Sequence, residues 1–227
     1  MAGWLTHEWI AQLVLKKLSK RKFISRYENI DDYFFGAIAP DIRYINNFSR
    51  DVAHKPYGEK SIFGALKISS ISMPFMAGFE THLIVDDTWS NENNTMDKSI
   101  YEYYGLDVNN SVHKFSLYLL VDDYFQGEAD WFFQFASAGN ILRANDISIL
   151  LKMGFNQADI LKYKTIIAGY VREPGIDTFN VLNLFPSNFD ETLIRKLIDQ
   201  KTSLISFLKE FKKISIEKCI ESLERYL

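Results

Sequence analysis

Apolar positions recur along the chain at three- and four-residue intervals, and no stretch alternates as a half-buried strand would. The pattern predicts an all-α protein, a single-domain multi-helix bundle over residues 1–227. A first helix is expected over 7–20, with Thr6 as N-cap and Ile10, Ala11, Val14 and Leu18 on an inward face that also carries His7. A loop centred on GAIAPD (36–41) follows, then a polar loop through NNFSRDVAHKPYG (46–58). Pro74 opens a helix that contains FETHLIVDDTW (79–89), and 94–110 reads as a polar connection with Gly105 and paired asparagines. Helices are expected over 113–126 and 129–137. Asp146 is placed to cap a short helix ending at Gly154, and Asn156 to cap another that runs to Val171 and stops at Glu173-Pro174-Gly175. After a loop around Pro186, the C-terminal helices fill 190–227. Leu193, Leu197, Leu204, Leu208 and Phe211 form one stripe over 190–213, a last short helix covers 215–227, and the Lys and Glu between them make a solvated face.

The charge balance narrows the function classes. A net charge of −3 and a pI near 5.8 give no overall basic field, which argues against a protein whose main task is gripping nucleic acid backbones. The N-terminal segment has no basic stretch followed by an unbroken apolar run, and no long apolar run elsewhere suits a transmembrane span, so the expected compartment is the cytoplasm. Cys219 is the only cysteine. An internal disulfide and a thiolate zinc motif are both excluded, and any metal must be held by His, Asp and Glu.

Chemistry concentrates in the 79–89 stretch. His82 and Asp86 are four apart, so on a helix they project side by side from an apolar face shared with Phe75 and Phe79. An ionised carboxylate there is costly to desolvate and needs a cation, a hydrogen-bonding partner or a raised pKa. The plain alternative is a core histidine donating to the aspartate. Asp41, fixed behind an apolar turn that ends in Pro40, and His54, a dozen or so residues further along, add a second carboxylate and a second imidazole. That set suits zinc and also accommodates iron or manganese.

Four separated elements resemble the zinc-dependent phospholipase C and S1/P1 nuclease superfamily, particularly its small intracellular phospholipase C-like branch. They are Thr6-His7, FFGAIAPDI (34–42), Ala53-His54 and HLIVDDTW (82–89), in the family's order over residues 1–90. The resemblance implies a helical protein with a metal centre in a cleft between helices and one or two zinc ions. Asp41, His54, His82 and Asp86 would hold one ion, and His7 a second that shares Asp86. Two departures stand out. The secreted enzymes complete the second site with an N-terminal tryptophan, whereas Trp4 is internal here. They also carry further histidines downstream, whereas this chain offers only His113 after His82. A third site is then absent or rebuilt from acids such as Asp122, Asp123 or Glu128.

The implied activity is hydrolysis of a phosphate ester by a metal-activated water, with a small phosphate ester, a phospholipid headgroup or a short nucleic acid as partner. Asp41 is the candidate general base as well as a ligand, and His7 a proton donor if no metal claims it. Lys55 and Arg43 are candidates to neutralise phosphate, or simply exposed loop cations. His113 reads as a cap or surface residue, and the aromatic run at 131–135 as core unless it serves as a stacking or lipid surface. The alternatives are a metal-stabilised regulatory or binding protein without turnover, or a metal-free helical scaffold. A phosphohydrolase of the His-Asp dipeptide type ranks below these, because no such dipeptide occurs.

Overall fold

A computed structural model describes residues 3–19, 30–43, 54, 73–90, 96–128, 131–145, 147–173, 191–199 and 204–224. Every regular element among them is helical, as the three- and four-residue periodicity demands. In chain order they are α1 (Trp4–Ser19), α2 (Ile30–Ile38) continued by a 3-10 turn (Ala39–Ile42), α3 (Met73–Ser90), α4 (Met96–Tyr104) and α5 (Ser111–Glu128). Next come α6 (Trp131–Arg143), α7 (Ser148–Lys152), α8 (Gln157–Arg172), α9 (Glu191–Asp199) and α10 (Ile205–Leu223). None of these helices is long and apolar enough to cross a membrane.

Several boundaries differ from the expected ones, each for a physical reason. Thr6 is not an N-cap: α1 starts at Trp4, and the Thr6 hydroxyl donates to Asp122 instead of closing its own helix end. Residues 36–41 are not a loop. Gly36 lies inside α2, where the missing side chain admits a neighbouring helix, and Pro40 sits at the start of the 3-10 turn, where its missing N–H costs nothing. Within the expected connection 94–110, residues of α4 bury Ile100 and Tyr101, so local polarity was overruled by packing. α6 extends to Arg143, and α10 runs unbroken through the expected break near 214. At α7 the N-cap is Ile147, with no side-chain hydrogen bond; Asp146 lies outside the described residues, as do Pro174, Gly175, Pro186 and the polar loop apart from His54. Asn156 does cap α8, accepting from the Asp159 amide at 2.8 Å.

The core forms where α1, α2 and α3 meet, with α10 closing against α1 and α3 and α6 against α2 and α8. Glycine sets the closest approach. A Cβ at Gly36 would run into the Phe75 carbonyl, and one at Gly78 into the Tyr33 carbonyl, so α2 and α3 pack backbone to backbone at both points. Buried Tyr33 bridges the same seam, donating to the Ala11 carbonyl at 3.2 Å and lying 3.3 Å from the Thr81 hydroxyl. Tyr163 of α8 donates to the Ile38 carbonyl at 2.5 Å, which ties the end of α2 to the other side of the bundle.

This contact yields a prediction. Gly78→Ala forces a methyl against a backbone carbonyl that has no rotamer to escape into, and is expected to cost about 1–3 kcal/mol or more of stability. Gly127→Ala on α5, where a Cβ meets nothing within 4 Å, is expected to be neutral or to stabilise by up to about 1 kcal/mol. Urea denaturation of the two variants side by side checks the contrast.

Candidate metal centre

Five side chains from four places in the chain converge. α1 contributes His7, the 3-10 turn Asp41, the turn at residue 54 His54, and α3 both His82 and Asp86. All are withdrawn from solvent: the side chains of His7, Asp41, His82 and Asp86 are no more than 3% exposed, and His54 is 6% exposed. The expected His82–Asp86 pair does not form a hydrogen bond, because His82 Nε2 stands 3.8 Å from Asp86 Oδ2. The ring spends Nδ1 on the Ala37 carbonyl at 2.8 Å instead. A carbonyl can only accept, so Nδ1 carries the proton and Nε2 presents a lone pair to the acids, the orientation a ligating imidazole needs.

The ring and carboxylate atoms then face one another at short range. His54 Nε2 lies 3.3 Å from His82 Nε2, 3.3 Å from Asp86 Oδ2 and 3.7 Å from Asp41 Oδ1. His82 Nε2 is 3.9 Å from Asp41 Oδ1. Two ligands at zinc bonding distance and tetrahedral angle stand about 3.3–3.4 Å apart, so these separations are close to the edges of one coordination tetrahedron. His7 joins the same cluster, with a ring nitrogen that lies within 4.8 Å of ligand atoms of Asp41 and His82. Its Nε2 is 3.4 Å from Asp86 Oδ1, while His54 and His82 face Oδ2, so the two oxygens of Asp86 serve different imidazoles. The His7 ring stacks on His82 with centroids 3.8 Å apart and 10° between planes.

Several of these buried atoms have no hydrogen-bond partner: both ring nitrogens of His7, Nδ1 of His54 and Oδ1 of Asp41. Leaving a buried polar atom unsatisfied costs on the order of 1–3 kcal/mol. So many in one spot, all of ligand type, fit a cation that they would share. The donor set is three imidazoles and two carboxylates, which suits a transition ion and not calcium or magnesium, whose ligands are oxygen.

The charges are uneven. Burial, and then the neighbouring Asp86, push the Asp41 carboxyl above its usual range, although His7, His54 and then half-buried Arg43 act to lower it. Burial alone would raise Asp86 as well. Nearby positive charge and the His54 and His7 rings outweigh it and hold that carboxyl well below its usual range. Burial, followed by the stacked His7, drives His82 well below an ordinary histidine, which keeps it neutral.

The other candidates sit elsewhere. His113 accepts at Nδ1 from the Asp107 amide at 2.8 Å, a local turn contact. Asp122 binds the start of α1, and Glu128 pairs with Lys212 at 2.5 Å and with the Tyr124 hydroxyl at 2.8 Å, so neither rebuilds a third site. Asp87 points outward, 3.8 Å from Lys218. Lys55 lies outside the described residues, as do the side chains of 131–135. Sequence reasoning missed the Ala37 carbonyl, since a backbone oxygen leaves no residue signature; its one clue is Gly36 beside it, marking a close backbone approach.

No protein-family model, curated protein or solved structure matches the chain.

The neutral His82 fixes a pH dependence. Its folded pKa is lowered, so below about pH 6.5 the unfolded chain takes up a proton that the folded chain refuses, and stability falls with pH until the folded pKa is reached. The contribution of this one proton to the slope approaches about 1.4 kcal/mol per pH unit. Urea unfolding of metal-free protein between pH 7.5 and 5, compared with His82→Gln, is expected to show that part of the slope vanish in the variant.

Proposed function

We propose that the chain is a metal-dependent phosphoric ester hydrolase, zinc being the best-fitting ion, that cleaves phosphodiesters in the manner of the phospholipase C and S1/P1 nuclease superfamily and shares that superfamily's helical fold. The observation that carries this reading is the buried convergence of His7, Asp41, His54, His82 and Asp86 at separations suited to shared coordination, with ring nitrogens and a carboxylate oxygen left without other partners. The four sequence elements resembling that superfamily supply the same five residues. Cytoplasmic residence fits a lone, buried, unpaired Cys219.

His54, His82, Asp41 and Asp86 would hold one ion, and His7, together with Asp86, a second. When bound, such ions polarise a phosphoryl oxygen and lower the pKa of water toward neutrality. The chain's own groups supply the rest. Asp41, whose carboxyl has a raised proton affinity among the acids of the site, takes the proton of the attacking water as general base. Asp86, kept ionised, turns one oxygen toward His7 and the other toward His54. The Ala37 carbonyl keeps His82 in the tautomer that leaves Nε2 free. The substrate class is a small phosphodiester, a phospholipid headgroup or a short nucleic acid.

A second reading, a metal-binding regulatory protein without turnover, is favoured by one observation: Asp122 and Glu128 are committed elsewhere and supply no third site. Elemental analysis and hydrolysis assays separate the two. Wild-type protein is expected to hold about one to two zinc equivalents and His82→Ala to lose them. Asp41→Asn is expected to cut the rate on bis(p-nitrophenyl) phosphate by about 10²–10⁴-fold. Tightly held zinc with no cleavage of that ester, of p-nitrophenylphosphorylcholine or of single-stranded DNA selects the second reading. Equal trace metal in wild type and His82→Ala removes both.

A further inference from the structure

The stretch LIVDDTW at 83–89 shares Leu-x-Val-Asp-Asp with LLVDDYF at 119–125, whose first acid, Asp122, is as buried as Asp86 yet belongs to no metal-type cluster among the described residues. Its carboxylate reaches from α5 to the start of α1. There it accepts from the Leu5 amide at 3.3 Å, the Thr6 amide at 2.9 Å and the Thr6 hydroxyl at 2.6 Å, and the Tyr170 hydroxyl of α8 donates to it at 2.9 Å. The first N–H groups of a helix have no acceptor within the helix and carry its positive dipole end, so a buried carboxylate meets a complementary set of donors there. Space is reserved for it: any side chain at Gly3 would collide with the Asp122 carboxyl. Tyr170 is itself fully buried and packs edge-on against Trp4, with centroids 5.6 Å apart.

The residue after Thr6 is His7. Its ring has no hydrogen bond to aim it; it is placed by stacking on His82 and by facing Asp86 Oδ1 at 3.4 Å. With no such bond, the place of the ring also depends on where the first turn of α1 is pinned. We propose that Asp122, braced by Tyr170, is a positioning residue that fixes His7 in the metal centre, a role that rests on the proposed metal-binding function for its purpose but not for its geometry. His82 and Asp41 hang on α3 and the 3-10 turn, so loss of Asp122 should be felt at His7 first.

The test compares Asp122→Asn, Tyr170→Phe and Thr6→Val with Asn156→Ala, which removes a helix cap of α8 and lowers stability away from the site. The ring resonances of His7 in metal-free protein report its place in the stack, with His113 as internal reference, and a cobalt(II) titration reads metal affinity. The first three variants are expected to shift the His7 ring signals and weaken cobalt binding by about 10–100-fold, and Asn156→Ala to do neither. Unchanged His7 signals in the folded Asp122→Asn and Tyr170→Phe proteins overturn the proposal, as does an equal shift in Asn156→Ala. If Asp122→Asn does not fold, Tyr170→Phe and Thr6→Val decide. If wild type takes up no cobalt, the metal reading falls while the ring signals still decide whether Asp122 positions His7.

Discussion

The hydrogen bond between His82 Nδ1 and the Ala37 carbonyl joins the fold to the site. It exists because α2 and α3 approach at Gly36 and Gly78 closely enough for a side chain on one to reach the backbone of the other. The same α2 runs into the 3-10 turn that carries Asp41, so one helix contact fixes both the tautomer of an imidazole and the location of the carboxylate facing it. Tyr33 ties α2 to α1 and Tyr163 ties its end to α8, which limits how far that geometry can drift. The packing is tight because backbone touches backbone, and interiors of that density respond to strain by shifting whole elements.

Electrostatics in the pocket follow from what has been removed from water. Asp41 and Asp86 repel each other, and burial penalises both charges, yet one is pushed toward the protonated form and the other kept ionised by its surroundings. His82 is driven neutral with its donor already committed, leaving two imidazole nitrogens 3.3 Å apart with at most one proton between them. Such a set is poorly satisfied by itself. A shared cation would satisfy the lone pairs, offset the carboxylate charge and draw α1, α3 and the turn at His54 together, which is why binding and folding of these parts are expected to be coupled.

Much of this was legible in the chain. The helical class follows from apolar spacing, and the five candidate residues lie on elements that pack together, with the i, i+4 spacing of His82 and Asp86 placing both on one face. The inward face of α1, with Ile10, Ala11, Val14 and Leu18, is buried as the pattern requires. What was not legible depends on tertiary context. The glycine and proline of GAIAPD carry the local signals of a loop, but here Gly36 makes room for Phe75 and Pro40 begins a 3-10 turn. Polar α4 is helical because Ile100 and Tyr101 find a core. Thr6 has the chemistry of a cap, but an acid more than a hundred positions away claims its hydroxyl and its amide.

Asp86 and Asp122 make the same point at the scale of one residue. Both follow a Leu-x-Val run on a helix, both are buried, and both require donors that their own helix does not offer. Asp86 faces imidazoles, whose nitrogens can bind a cation beside it, and Asp122 faces amide and hydroxyl protons, which satisfy it outright. A carboxylate whose acceptor positions are filled by fixed donors has little capacity left for a metal, and one set among ring nitrogens keeps that capacity. The difference lies in what the neighbouring helices present, so two stretches that share Leu-x-Val-Asp-Asp yield one acid set among imidazoles and another that binds the start of a helix.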